Sequence, residues 1–304
     1  MYLNLYHRAA FTAALLNNQS MGFYSVDVLV WDVRRHGVGF KPVRINRTGA
    51  RCTLEGGPPA AWVGFARVKG VGTAAAETIA CARERNGPYH SLADCCHRTG
   101  LPSKAIEALV LAGAFDGCGR SRDELLWDAY AFAGVGRAAE LELPEERPAL
   151  PARPEHEQTL LDYAVLGFSL GRHLVEHYRR LAGLRVVPTT ELARWPDGKP
   201  VRVGGLVVCR QAPPTAKGFL FLTVEDGRRL VNVIVRPDVY ARYRPILRDQ
   251  PLVAIAGRVQ RSHGIVNVVA ERAVALDLGM PDPEQAAEQA SPVVRPAFVS
   301  HDFR

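Results

Sequence analysis

Lys69-Gly70-Val71-Gly72-Thr73 puts a cation, two glycines and a hydroxyl within five residues. Two glycines one residue apart let the backbone turn sharply and meet a ligand with no Cβ in the way. Ala74, Ala75, Ala76, Ile79 and Ala80 follow at helical spacing, so a helix should start here, with Thr73 as its cap and its first N–H groups pointing outward beside Lys69. Phosphate holding is the chemistry this combination suits. The stretch reads as the hairpin of a helix-hairpin-helix, a motif that grips a nucleic-acid backbone. A second candidate chemistry is base stacking: Phe219 and Phe221 lie close in sequence to Arg210 and Lys217, and aromatic faces beside cations are what a single-strand platform needs. Asn232 can donate and accept at a base edge, or can equally pin the turn of its own strand.

Self-contained catalysis is not written in the chain. There is no Asp-x-Asp pair, no GxxxxGK[ST], no HExxH and no GxSxG. The six cysteines form no CxxC pair and have no histidine at ligand spacing, so reduced thiols and no metal are expected. His36, His97, His173 and His263 read as solvated or packed side chains. No uncharged apolar run reaches about 18 residues, and the N-terminus has no signal-peptide pattern. A cytoplasmic chain without membrane contact is the expectation.

The elements that must position these groups differ along the chain. Residues 9–18 and 25–36 read as helices, and 39–43 as a short strand. Gly56-Gly57-Pro58-Pro59 reads as a boundary loop. Residues 60–118 are helical with short turns. Helix 74–85 is broken by Gly87-Pro88, and Thr99-Gly100-Leu101-Pro102-Ser103 forms a second turn before a helix over 104–112 that carries Lys104 in its first turn. Two such units about thirty residues apart suggest a paired helix-hairpin-helix domain, although glycine turns in a plain helical bundle would look similar. Another helix covers 119–134, a Glu- and Pro-rich linker 140–154, and a single helix 160–181.

From Val201 the period changes to strands: 201–211, 219–226, 230–235, 252–261 and 265–272, with a helix over 239–247 between the third and fourth. That order suits an OB-fold barrel. Alternation puts Leu220, Leu222 and Val224 inside and Phe219, Phe221 and Thr223 outside. A rim-packed Phe221 and a loop-plugging Phe219 remain the competing assignment. Residues 201–273 hold 12 basic and 5 acidic residues, a net +7 that equals the charge of the whole chain. A charge excess concentrated in this way favours a polyanionic partner.

Longer strings then resemble a family. Ala9-Ala10-Phe11-Thr12-Ala13-Ala14-Leu15-Leu16-Asn17-Asn18-Gln19 with Met21-Gly22-Phe23-Tyr24, and Arg35-His36-Gly37-Val38, are similar to the distal fingers of bacterial family C DNA polymerases. The similarity is greatest to the error-prone, DnaE-like alpha subunits of the ImuC type. Val68–Gly72 falls at that family's hairpin and Gly113-Ala114-Phe115-Asp116 at the end of the hairpin domain. Thr223-Val224-Glu225-Asp226, Asn232-Val233-Ile234-Val235 and Gly257-Arg258-Val259-Gln260-Arg261 match its OB module, which adds Arg258 and Arg261 to the residues expected at DNA. Arg8 stands where the family usually has proline, and Glu225–Arg229 departs from its usual turn.

The resemblance implies a multidomain α+β chain. Its expected parts are a helical fingers remnant (1–59), an all-α paired helix-hairpin-helix domain (60–118), a helical and Pro/Glu-rich linker (119–200), an all-β OB-fold barrel (201–276) and a flexible tail (277–304). The nucleic-acid-binding residues expected are Lys69, Gly70, Val71, Gly72, Thr73, Lys104, Arg210, Lys217, Phe219, Phe221, Asn232, Arg258 and Arg261. The hairpins would hold duplex DNA and the barrel single-stranded template. The family's metal-binding palm precedes this region, so the resemblance implies Mg²⁺ for the full polymerase but no cofactor and no catalytic residue in this chain. ImuA and ImuB, and through them the sliding clamp, are the protein partners it implies. A fragment or split-gene product, a freestanding single-strand or junction binder, and a non-functional remnant are the three origins that fit.

Overall fold

The computed structural model describes residues 2–19, 25–55, 60–134, 153–181, 186–262, 264–276 and 301–303. The expected boundary loop at 56–59, the linker at 140–154 except its last two residues, and the tail at 277–304 except its final short strand lie outside them. The chain forms two compact units, Met1–Gly22 with Asp32–Leu170, and Phe23–Trp31 with Gly171–Arg304.

In the first unit, α1 (Tyr2–Tyr6) and α2 (Arg8–Asn17) come first; α3 (Val26–Arg35) follows and is divided between the units. Strands β1 (Gly39–Lys41), β2 (Thr53–Leu54) and β3 (Ala60–Trp62) make a small sheet in the order β1-β3-β2, with β1 parallel and β2 antiparallel to β3. The helices α4 (Gly72–Asn86), α5 (Leu92–Thr99), α6 (Ser103–Leu111), α7 (Arg122–Gly134) and α8 (Glu155–Leu166) complete it. Phe65, Ile79, Cys95, Leu109 and Phe115 are fully buried among them.

The break after α4 is fixed by polar contacts as well as by proline. Arg98 donates to the carbonyls of Ala82, Gly87 and Pro88, and its guanidinium lies 4.2 Å from the Tyr89 ring centre. Asn46 exchanges two hydrogen bonds with the Tyr89 backbone at 2.7 and 2.8 Å. The single helix expected over 160–181 is instead two, α8 and α9 (Leu174–Leu181). Gly167 ends α8 in the left-handed conformation at φ +83°, which glycine enters without the Cβ penalty.

The second unit is built on a closed barrel. Strands β4 (Pro200–Gln211), β5 (Leu220–Glu225), β6 (Leu230–Val235), β7 (Leu252–Ser262) and β8 (Ile265–Ala275) run in the order β5-β6-β8-β7-β4, and β4 pairs back onto β5. Helix α10 (Pro237–Asp249) sits between β6 and β7 in the chain, and β6 with β8 is the barrel's parallel pair. This is the OB-like arrangement that the element order suggests. Leu220, Leu222 and Val224 point inward with Val233, Val235, Ile255 and Val268. The last strand, β9 (His301–Phe303), pairs in parallel with Cys209–Gln211.

Candidate nucleic-acid interface

The Lys69 hairpin has the backbone its glycines permit. Gly70 and Gly72 adopt φ +92° and +72°, while Val68 and Val71 between and beside them are buried. A Cβ on Gly72 would meet nothing within 4 Å, so its backbone angle, not crowding, is what calls for glycine there. One correction concerns the cap: α4 starts at Gly72 after Val71 with no side-chain cap, and Thr73 lies exposed inside the first turn. The Lys69 N–H donates to the Val165 carbonyl at 2.8 Å, which anchors the turn to α8.

The Lys69 side chain is exposed, and its ammonium is held below the ordinary lysine range by partial burial and by the neighbouring Arg67. An anion beside it relieves the repulsion from Arg67. A Cβ on Gly70 would lie 3.7 Å from the Ala108 Cβ and 4.0 Å from the Lys104 carbonyl oxygen. Folding thus brings the first hairpin against the start of α6, where Lys104 is also exposed.

On the barrel, strand register arranges the outward residues in two cross-strand rows. Phe221 pairs with Ile234, Ile234 with Val269, and Val269 with Arg258. In the next row Thr223 pairs with Asn232, Asn232 with Asn267, and Asn267 with Gln260. An apolar row carrying an aromatic therefore runs beside a row of amides. Phe219, Phe221, Ile234, Val269, Gln260, Arg236 and Ala216 line a cleft of about 460 Å³ on this face. Phe221 is 36% exposed and Phe219 half-buried, as a face offering its rings to a ligand requires. Lys217 adopts φ +49° at the tip of the loop entering β5 and is exposed.

Three of the basic residues singled out in the sequence have other work. Arg210 is 7% exposed and donates to the carbonyls of Leu247 and Gln250, so it secures the end of α10 and leaves the outer face. Arg258 donates to Glu271 at 2.9 Å and to the Gly198 carbonyl at 3.1 Å. Arg261 donates to the carbonyls of Ala193 and Trp195. Both remain exposed at the edge of the face. Sequence reasoning missed Ile234, Arg236, Gln260, Asn267 and Val269. Alternation along β6 and β8 could have turned them outward, but only the barrel order makes them neighbours of Phe221.

The Mg²⁺ implied for a whole polymerase does not fit the residues present. Among the described residues, the one group of three His, Cys, Asp or Glu ligand atoms close together is Asp27, His173 and Glu225, and all three side chains are buried. Nucleotidyl transfer on Mg²⁺ needs an open, oxygen-lined site that admits phosphates. No helix among the described residues is long and apolar enough to cross a membrane.

Comparison with known proteins places these features. The family described as helix-hairpin-helix motif matches residues 37–125. The chain is 39% identical over 295 residues to an error-prone DNA polymerase of Anaeromyxobacter dehalogenans, covering 91% of this chain and 26% of that protein. It is 40% identical over 296 residues to the error-prone DNA polymerase of Nocardia farcinica, covering 92% and 25%. The Mycobacterium bovis counterpart is 38% identical over 288 residues, covering 92% and 26%. The chain is thus a homologue of error-prone DNA polymerases along about nine-tenths of its own length, and it spans about a quarter of the length of the curated relatives it matches.

Proposed function

We propose that this chain is the DNA-holding part of an error-prone DNA polymerase of the DnaE-like type, used in damage-tolerant synthesis. The outer face of the barrel carries the reading: an exposed Phe221 and half-buried Phe219 above an apolar row, flanked by amides, in a unit with concentrated positive charge. Bases stack on the rings without regard to sequence, and Asn232, Asn267 and Gln260 meet base edges or sugars. In the helical unit, Lys69 and the N–H groups opening α4 hold duplex phosphate, with Lys104 beside them. Template-directed nucleotide addition, its Mg²⁺, and contacts with ImuA, ImuB and the clamp belong on this reading to the complete polymerase.

Fluorescence anisotropy with labelled single-stranded and duplex DNA tests this division of labour. Phe221→Ala should weaken single-strand binding by about 1–3 kcal/mol, roughly 5- to 150-fold, with little effect on duplex. Lys69→Ala should weaken duplex binding and lower its salt slope by about 1. Equal losses on both substrates for both variants would overturn the assignment. Primer extension by the chain alone should stay at background.

A further inference from the structure

Asp27, His173 and Glu225 lie 146 and 52 positions apart in sequence, yet each offers a ligand atom and the three atoms fall within 4.8 Å of one another. Asp27 stands in the first turn of α3, His173 immediately before α9, and Glu225 at the end of β5, all within one compact unit. Their exposures are 3%, 1% and 0%. Two carboxylates beside a neutral imidazole concentrate negative charge where water cannot screen it, so positive charge must join them as protons or as a cation.

The imidazole is held in place from several sides. Trp31 meets it edge-on with ring centres 4.9 Å apart. A Cβ on Gly227 would lie 2.6 Å from the His173 Cβ, so the turn after β5 leaves room for this ring only because glycine stands there. The Val175 N–H approaches Nδ1 at 3.3 Å.

We propose that Asp27, His173 and Glu225 form a buried site for one divalent transition-metal ion. One imidazole nitrogen with two carboxylate oxygens is a donor set suited to Zn²⁺ or Mn²⁺, and a divalent charge balances both carboxylates. Mg²⁺, which sheds water reluctantly and prefers oxygen ligands, suits it poorly. Because Val175 meets Nδ1, the ion takes Nε2. On loading, the ring proton passes from Nε2 to Nδ1, the imidazole stays neutral, and the 3.3 Å Val175 contact opens. The ion then ties the start of α3 to the end of β5.

The test uses the full 304-residue chain, stripped with chelator and titrated separately with ZnCl₂ and MnCl₂. Elemental analysis after gel filtration should find one retained equivalent of metal. Asp27→Asn and Glu225→Gln should each weaken uptake at least about tenfold, and ¹⁵N-histidine spectra should show one ring exchanging its tautomer on loading. Absence of retained metal in the unmodified chain would overturn the proposal and leave protons to balance the charge. Zinc uptake that survives both substitutions would belong to the cysteines and overturn it equally. The unmodified chain alone decides the stoichiometry and tautomer readouts, so a variant that fails to fold does not protect the proposal.

Discussion

Asp226 is fully buried and nevertheless charged in the folded barrel. Burial alone would raise its carboxyl pKa, but the Thr189 O–H and N–H and the Arg229 and Arg228 N–H groups outweigh that and hold it below the ordinary carboxylate range. A pKa lowered by folding contributes stability that is fully present above the unfolded value, about 3.9, and lost as pH falls through the folded value. Asp226→Asn should therefore cost about 1–3 kcal/mol at neutral pH and flatten the acid limb of a stability–pH profile measured by denaturant melts. Asp116 works comparably in the helical unit, accepting two hydrogen bonds from Arg122 at 2.9 and 2.7 Å and one from Arg44 at 3.2 Å. Its side chain is 30% exposed, which places Asp116→Ala near the lower end for a broken ion pair, about 2–3 kcal/mol in chemical unfolding.

At the scale of elements, glycines with different surroundings should respond differently to the same substitution. A Cβ on Gly257 would fall 2.0 Å from the Val269 carbonyl oxygen, at the register shift between β7 and β8. One on Gly205 would fall 2.3 Å from the Glu225 carbonyl oxygen. These close approaches let the strands bend around a small barrel. Gly257→Ala should cost about 3 kcal/mol or more, because backbone rather than a side chain would have to move. Gly72→Ala meets open space and should cost only about 1–2 kcal/mol of backbone strain. Thermal melts of the two variants check the contrast.

For the whole molecule, the informative charge is local. The barrel segment's net +7 is offset elsewhere, including a net −3 over residues 274–304. DNA affinity should therefore fall steeply with salt, with log K linear in log salt concentration, as counterion release requires. A flat salt dependence between about 50 and 200 mM would show that phosphate contacts do not carry the binding.

Much of this molecule is legible in its residue pattern. The period-two runs mark β6 at its observed limits and the other barrel strands to within three residues, because inward Leu and Val alternate with polar positions on each strand. Lys69, Gly70 and Gly72 identify the hairpin because only glycine enters positive φ freely. Local pattern does not reveal where side chains separated in sequence meet. It could not bury Arg210 under α10, align Phe221 with Ile234 and Val269 across three strands, or carry Asp27 to His173 and Glu225. Sequence by itself determined which residues turn inward or outward on each element, since that depends on neighbours two to four positions away. Tertiary structure alone decided which outward residues share a face and which buried charges share a site, since strand order and barrel closure act between segments far apart in the chain.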